Sequence, residues 1–308
     1  VGDEALTVRV RQLYPGIGVS VARHVYSSVH DVAQVDADAG RYALKVYRFG
    51  VRTSEEVRWE VDLHRHLLAT GAPVPRLVAG AEGFVGEVEL GGRRRWAVLS
   101  EWAPGEKPAP SAATYRLLGS AAATIHAATE DFDSSHVRPP RTISSEVDHY
   151  LALLRPSLDR IGRWDEVEAL GRRVSKALSG PLERGVCHND LTLDNIHIHI
   201  DSDRLTVFDL DSAGEGWRAW EPQGVYQASV LNGDSRWEHW LAGYEAIRPM
   251  AEVDRAAVPY FVLMAHFEHV AWKLGLTRTS VGQLLTEADL PGLVDGWSEW
   301  AGAHCLSI

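Results

Sequence analysis

The chain has 308 residues, and 31 Lys and Arg against 42 Asp and Glu leave a net charge of −11. With 45% hydrophobic and 24% charged residues its composition is that of a soluble globular protein, long enough for one large domain or two lobes without disulfides or a structural metal. The acidic balance argues against nucleic acid and anionic membranes as partners, and two cysteines, Cys187 and Cys305, match neither a disulfide scaffold nor a zinc spacing.

Val1 to Gly16 is charged and lacks the apolar core of a signal peptide, so the chain reads as a mature cytoplasmic protein without its initiator Met. Strands are expected at Val19–Tyr26, Val32–Asp36, Tyr42–Tyr47, Val85–Leu90 and Trp96–Glu101, which are β-branched or aromatic and punctuated by turns such as Asp38-Ala39-Gly40. One helix interrupts them. Thr53 and Glu56 have capping-box spacing, Val57, Val61, His64 and Leu68 share a face, and Gly71 and Pro73 end the run.

Trp102-Ala103-Pro104-Gly105 breaks this pattern and marks a boundary, giving lobes 1–103 and 104–308. Helices follow at about 113–128, 144–155, 165–179, 235–247, 255–275 and 283–303, with a strand pair Ile196–Ile200 and Leu205–Leu210 joined by Asp201-Ser202-Asp203. The apolar run Ala256–Ala265 contains Pro259 and is too short to cross a bilayer.

The chemistry concentrates in Cys187-His188-Asn189-Asp190-Leu191-Thr192-Leu193-Asp194-Asn195 and, at the end of a strand, Asp209-Leu210-Asp211. His-x-Asp followed by four residues and Asn is the spacing of a kinase catalytic loop. Phosphoryl transfer needs a carboxylate to orient the acceptor hydroxyl, for which Asp190 is the candidate. It also needs hard oxygen ligands for magnesium, for which Asn195 and Asp209 are suited. Lys45 lies in the apolar strand Tyr42–Tyr47, and a Lys–Glu pair there would aim its ammonium at ATP phosphates. Glu60 is the first candidate partner, with Glu56, whose capping role competes, as the alternative.

His197 and His199 alternate on one strand face, but no third zinc ligand is in register, so they read as a half-exposed face. Trp237 and Trp240 read as a core pair. Trp217 and Trp220, among Glu215 and Glu221, are candidates to contact a sugar ring or an ammonium group.

The chain resembles the aminoglycoside phosphotransferase/choline kinase superfamily. The resemblance rests on Ala43–Arg48, the Glu60 helix ending at Leu67–Pro75, Leu118–His126, His188–Asn195 and Val207–Gly214, spanning about Ala22 to Gly224. It implies an α+β, bilobal protein-kinase-like fold with a small antiparallel-sheet N-terminal lobe carrying one helix and a larger helical C-terminal lobe. Residues 1–103 would bind the nucleotide, and 104–308 would carry the catalytic loop and acceptor site. Lys45 would contact ATP phosphates with Glu60 positioning it, Asp190 would be the catalytic aspartate, and Asn195 and Asp209 would hold Mg²⁺. The backbone of Ser100–Ala103, with Glu101 and Ala103, would bind adenine, and Ser27 and Ser28 would offer backbone N–H groups to phosphate. Asp211 would assist the metal, the loop or, with Glu215, Trp217, Trp220 and Glu221, the acceptor.

Three departures from the family stand out. The phosphate hairpin Tyr26-Ser27-Ser28-Val29-His30 lacks glycine, Asn189 stands where glycine is common, and Glu221 stands about where an Asp is common. Asp-x-Asp in place of Asp-Phe-Gly favours the small-molecule branch. The expected activity is therefore an ATP- and Mg²⁺-dependent phosphotransferase, with GTP as the alternative donor, acting on a hydroxyl of an amine-bearing acceptor. Such an acceptor is an aminoglycoside-type antibiotic, with resistance as its setting, an amino sugar or an amino alcohol. A bacterial protein Ser/Thr kinase and a nucleotide-binding pseudokinase or scaffold are the alternatives, and the chain would be a monomer or a homodimer. Charge supports a cationic acceptor: residues 1–103 carry 13 basic and 13 acidic groups, so the whole excess of acid falls on 104–308.

Overall fold

The computed structural model describes residues 3–199 and 204–305. It divides into two compact units: Val1–Lys107, Asp131–Arg138 and Asn195–Asp211 form the first, and Pro108–Glu130, Pro139–Asp194 and Ser212–Ile308 the second.

The first unit begins with α1 (Asp3–Leu13), followed by β1 (Val19–Ser27), β2 (Asp31–Ala37), β3 (Gly40–Val46), α2 (Ser54–Ala69), β4 (Leu77–Val78), β5 (Gly86–Leu90) and β6 (Arg93–Glu101). The strands pair antiparallel in the order β1-β2-β3-β6-β4, and β5 pairs with β6. Alternation fixes the register. Tyr42, Leu44 and Val46 of β3 are buried among Ala33, Val35, Ala97 and Leu99, which leaves Ala43 and Lys45 on the opposite face. The expected capping box opens α2: Thr53 Oγ1 accepts from the Glu56 N–H, and the Thr53 N–H donates to Glu56 Oε2. Two helices, rather than one, accompany these strands. Leu6 and Val10 of α1 lie one turn apart and enter the core with Tyr14, a stripe too narrow to show among its charged neighbours.

The second unit carries α3 (Ala112–Ala128), a π-turn at Ser144–Asp148 leading into α4 (His149–Arg160), α5 (Trp164–Leu178) and β7 (Arg184–Cys187). The chain then contributes β8 (Ile196–Ile198) and β9 (Leu205–Val207) to the first unit. The Asp201-Ser202-Asp203 joint expected between them lies outside the described residues. It returns with β10 (Gly214–Trp217), which pairs with β7, then α6 (Gln223–Asn232), α7 (Arg236–Glu245), α8 (Glu252–Lys273) and α9 (Leu290–Ala303). Helices α3 and α7 touch backbone to backbone. A Cβ on Gly119 would lie 1.9 Å from the Trp240 carbonyl oxygen, so only glycine permits this approach. The run Ala257–Ala265 of α8, Pro259 included, is buried as core, and among the described residues no helix is long and apolar enough to cross a membrane.

Candidate active site

In the first unit, Lys45 projects from β3 away from the apolar core toward α2. Its Nζ lies 3.1 Å from Glu60 Oε1, 2.9 Å from Asp209 Oδ1 and 3.8 Å from Asp211 Oδ1. Burial alone would lower the ammonium pKa, but Asp209 first and then Glu60 raise it well above the ordinary lysine value, so the group is charged. Glu56 is spent on the cap and on Arg52, 3.6 Å away, which settles the choice of partner in favour of Glu60. Arg138 Nη2, 3.4 Å from Glu60 Oε2, holds the other carboxylate oxygen.

The β8–β9 hairpin brings Asn195 and Asp209 to one end: Ile196 pairs with Val207, and the Phe208 N–H donates to the Asn195 carbonyl at 3.0 Å. Asp209 has φ of 63°, a left-handed conformation uncommon for a residue with a side chain, and its side chain is 48% exposed. Asp211 is different. It is buried, with Arg52 donating through Nε at 3.0 Å and Nη2 at 3.2 Å, and His30 Nε2 lying 2.9 Å away. Burial would raise its pKa, but Lys45, His30 and Arg52 hold it well below the ordinary carboxylate value.

In the second unit, the turn after β7 presents Asp190 to solvent while burying its neighbours His188 and Asn189. Asn189 has φ of 66°, and its backbone N–H, its carbonyl and its amide Nδ2 are all bonded, while the amide Oδ1 is buried without a hydrogen-bond partner among the described residues. Its N–H donates to Glu221 Oε1 at 2.7 Å, its carbonyl accepts from Trp220 Nε1 at 3.0 Å, and its Nδ2 donates to the Ser212 and Gly214 carbonyls at 3.1 and 3.2 Å. Asn and Gly are the two residues that enter this backbone region most readily, which accounts for an asparagine at the position. Beneath the turn, Glu221, His126 and Cys187 form a buried trio, with His126 Nε2 3.9 Å from Glu221 Oε1 and His126 Nδ1 2.9 Å from the Tyr244 hydroxyl. Burial would raise the Glu221 pKa, but His126 and the Asn189 N–H are among the groups that lower it below the ordinary value. Asp190, Thr192, Trp220 and Gln223 line a cavity of about 250 Å³ within this unit.

The phosphotransferase enzyme family matches this chain over residues 27–253. The chain belongs to that family. The homoserine kinase of Granulibacter bethesdensis is 28% identical over an alignment of 313 residues, covering 94% of this chain and 91% of that protein. Among solved structures, a microcompartment-associated aminopropanol kinase aligns with a TM-score of 0.75 at 20% identity, covering 99% of each chain. An amicoumacin kinase, solved with AMP-PNP, Ca²⁺ and its antibiotic, aligns with a TM-score of 0.74 at 19% identity, covering 98% of this chain and 94% of that one. The fold is thus the kinase-like α+β fold of this phosphotransferase family, an antiparallel N-terminal sheet followed by a helical C-terminal part.

The remaining residues singled out in this phosphotransferase fall into three settings. Ser27 Oγ donates to Asp31 and lies 2.8 Å from His24 Nε2, and the Ser28 N–H closes the hairpin on the His30 carbonyl. The Glu101 side chain is half exposed and its N–H donates to Arg76, while the Ala103 carbonyl lies 2.9 Å from His197 Nδ1, a partner that gives that histidine a structural use. Trp217 and Trp220 are buried against Phe261, with Arg184 over the first ring at 4.6 Å and Arg141 over the second at 4.1 Å, whereas Glu215 is exposed. Arg52, His30, Arg138 and Arg141 went unread in the sequence because these partners are 78 to 181 positions away along the chain.

Proposed function

We propose that this chain is an ATP- and Mg²⁺-dependent kinase that transfers a phosphoryl group to a hydroxyl of a small, amine-bearing acceptor. The observation that carries the reading is the Lys45 ammonium held by Glu60 on one side and by the half-exposed Asp209 on the other, an arrangement that presents charge to a polyphosphate. Relatives named as homoserine, aminopropanol and amicoumacin kinases support an alcohol acceptor, and the AMP-PNP and Ca²⁺ of the last support a nucleoside triphosphate and a divalent cation.

Residues 1–103 would serve the nucleotide and 104–308 the acceptor. Lys45 would bind α- and β-phosphate oxygens, with Glu60 fixing its direction, the backbone of Ser27 and Ser28 would donate to the phosphates, and that of Glu101 to Ala103 would hold adenine. An amide and a carboxylate at one hairpin end are the hard oxygen donors Mg²⁺ prefers, so Asn195 and Asp209 fit it, and the ion would supply neutralisation of the phosphate charge. Asp190 would orient the acceptor hydroxyl and take its proton. A bond forms from that oxygen to the γ-phosphorus, the bond to the bridging oxygen breaks, and ADP leaves. Asp190→Asn should lower turnover by about 10²–10⁴-fold. Thermal stabilisation by Mg-ATP should persist in that variant. Transfer at the parent rate would show that Asp190 has no such role.

A further inference from the structure

Beneath the Asn189 turn, the fold leaves donor atoms of the buried trio unused. His126 comes from α3, Cys187 ends β7, and Glu221 lies between β10 and α6, all within the second unit. His126 and Cys187 are fully buried, and the Glu221 side chain is 1% exposed. An imidazole nitrogen, the thiol sulfur and a carboxylate oxygen of the three all lie within 4.8 Å of one another. No spacing announces the group, since 61 positions separate His126 from Cys187 and 34 separate Cys187 from Glu221.

A core held by hydrogen bonds alone would satisfy these atoms. Instead, His126 Nε2 and Glu221 Oε2 are buried with no hydrogen-bond partner among the described residues, and Nε2 stops 3.9 Å from Glu221 Oε1, beyond bonding reach. The second atom of each group is already fixed: His126 Nδ1 lies 2.9 Å from the Tyr244 hydroxyl, and Glu221 Oε1 accepts from the Asn189 N–H at 2.7 Å. Outer partners of this kind orient a metal-binding imidazole or carboxylate and leave its other atom for the ion. Charge points the same way. Burial keeps His126 neutral, while Glu221, held below the ordinary carboxylate value against its burial, is ionised. The cations nearby do not cancel it, because Arg218 and Arg248 are both engaged with Glu130 and Glu183. A buried carboxylate oxygen with no partner is costly unless a cation completes it.

We infer that His126, Cys187 and Glu221 bind one Zn²⁺, a structural ion that fastens α3, β7 and the turn before α6 beneath Asp190. Mg²⁺ and Ca²⁺ take oxygen ligands and Cu⁺ favours sulfur, whereas zinc accepts nitrogen, sulfur and oxygen together in a tetrahedron. With Zn–N and Zn–O of about 2.0–2.1 Å and Zn–S of about 2.3 Å, ligand atoms stand roughly 3.3–3.6 Å apart, so the trio closes by about an ångström on binding. Glu221 and Asn189 also line the cavity beside Asp190, which gives the ion an entry path and lets a water take the fourth position. At Cys187 the S–H bond breaks, a Zn–S bond forms and one proton leaves to solvent. Burial and Glu221 push that thiol well above its ordinary value, against the lowering influence of Arg218, Arg141 and Arg184, so the proton is present to be released at neutral pH. A thiolate, a carboxylate and a neutral imidazole then balance the ion's two charges. Zinc binding is independent of the kinase reading above.

The test uses the full chain, without an affinity tag and stripped of metal by a chelator, titrated with Zn²⁺ in excess Mg²⁺. One ion should bind per chain, raise the melting temperature and release one proton, read as a buffer-dependent heat in calorimetry. Co²⁺ in place of Zn²⁺ should give the intense d–d absorption of a tetrahedral site and a thiolate-to-cobalt charge-transfer band. Cys187→Ser should lose that band and bind Zn²⁺ at least about 100-fold more weakly, and Tyr244→Phe about 10–100-fold more weakly, the usual loss of an outer partner. Cys305→Ser, which removes the other cysteine, should keep both the band and the affinity. A folded parent without the charge-transfer band overturns the assignment, and this reading stands even if Cys187→Ser fails to fold. A band kept in Cys187→Ser or lost in Cys305→Ser overturns it as well. Zn²⁺ that excess Mg²⁺ displaces would belong to Asn195 and Asp209 and would equally sink the site. The cobalt signature in a chain that phosphorylates no alcohol would uphold the zinc site and count against the kinase reading alone.

Discussion

The Lys45 cluster and the Asn189 turn solve the same problem, holding a carboxylate at its post, by opposite means. Around Lys45, charges meet charges: Glu60, Asp209 and Asp211 share one ammonium, and Arg138, Arg52 and His30 share the overflow. Around Asn189, the backbone N–H and carbonyl and the amide Nδ2 are satisfied by carbonyls, an indole and one buried carboxylate. A cluster of ion pairs can exchange a partner for a ligand of like charge, as a phosphate oxygen would replace Asp209 at Lys45. A turn sewn by short hydrogen bonds to backbone cannot, and so keeps Asp190 presented whatever is bound. The first arrangement suits binding a polyanion and the second suits aiming a base.

Breaking the charged cluster should cost activity far more than stability. Lys45→Met removes the ammonium but leaves Glu60 with Arg138, and Asp211 with Arg52 and His30. We expect phosphoryl transfer to fall by about 10²–10³-fold, the usual loss of one preorganised charge-stabilising donor. The melting temperature should change by only a few degrees and Mg-ATP should no longer raise it. Rapid steady-state kinetics beside a thermal melt would check this. A variant that unfolds would mean that Lys45 holds the sheet to α2 rather than waiting for a ligand.

Breaking the sewn turn should cost both. Glu221→Ala removes the acceptor of the Asn189 N–H and leaves that donor and His126 buried in a new void. An unsatisfied buried donor costs about 1–3 kcal/mol, so urea unfolding should show a loss of that size. Turnover should fall about tenfold through misplacement of Asp190. KM for nucleotide should stay near the parent value. A full loss of nucleotide binding would contradict the assignment of Glu221 to the turn.

How much of this could be read beforehand follows from what leaves a local trace. Alternation along Tyr42–Tyr47 and Trp96–Glu101 and the Thr53/Glu56 box are short-range signals, and they placed the strands and α2 to within a few residues. The ordered spacing His188, Asp190, Asn195, Asp209 singled out residues that lie, in the second unit, at the turn after β7 and, in the first, at one end of the β8–β9 hairpin. Proximity in sequence does not show burial: Trp217, Trp220 and Glu221 follow the metal-type motif closely and all three are buried, with Glu221 accepting from the Asn189 N–H, while Trp220 and Glu221 also line the cavity beside Asp190. The bond from Arg141 Nη2 to Glu268 Oε2 at 3.0 Å left no trace, since 127 positions separate the two and neither lies in a motif. Helix α1 was invisible for a different reason, its buried stripe being only Leu6, Thr7 and Val10.

The finest test of the contrast lies in Asn189 itself, where backbone conformation and side-chain bonding can be separated. Asn189→Gly keeps access to φ of 66° and loses the two bonds from Nδ2, while Asn189→Ala loses the same bonds and must also enter the left-handed region. That region costs an ordinary residue roughly 1–2 kcal/mol, so the alanine variant should be less stable than the glycine variant by about that much. The glycine variant should keep turnover within a few-fold of the parent, because its N–H still reaches Glu221 and its carbonyl still takes the Trp220 bond. Equal stabilities, measured by urea unfolding under one condition, would mean that the turn relaxes without strain and that the amide bonds alone hold Asp190 in place.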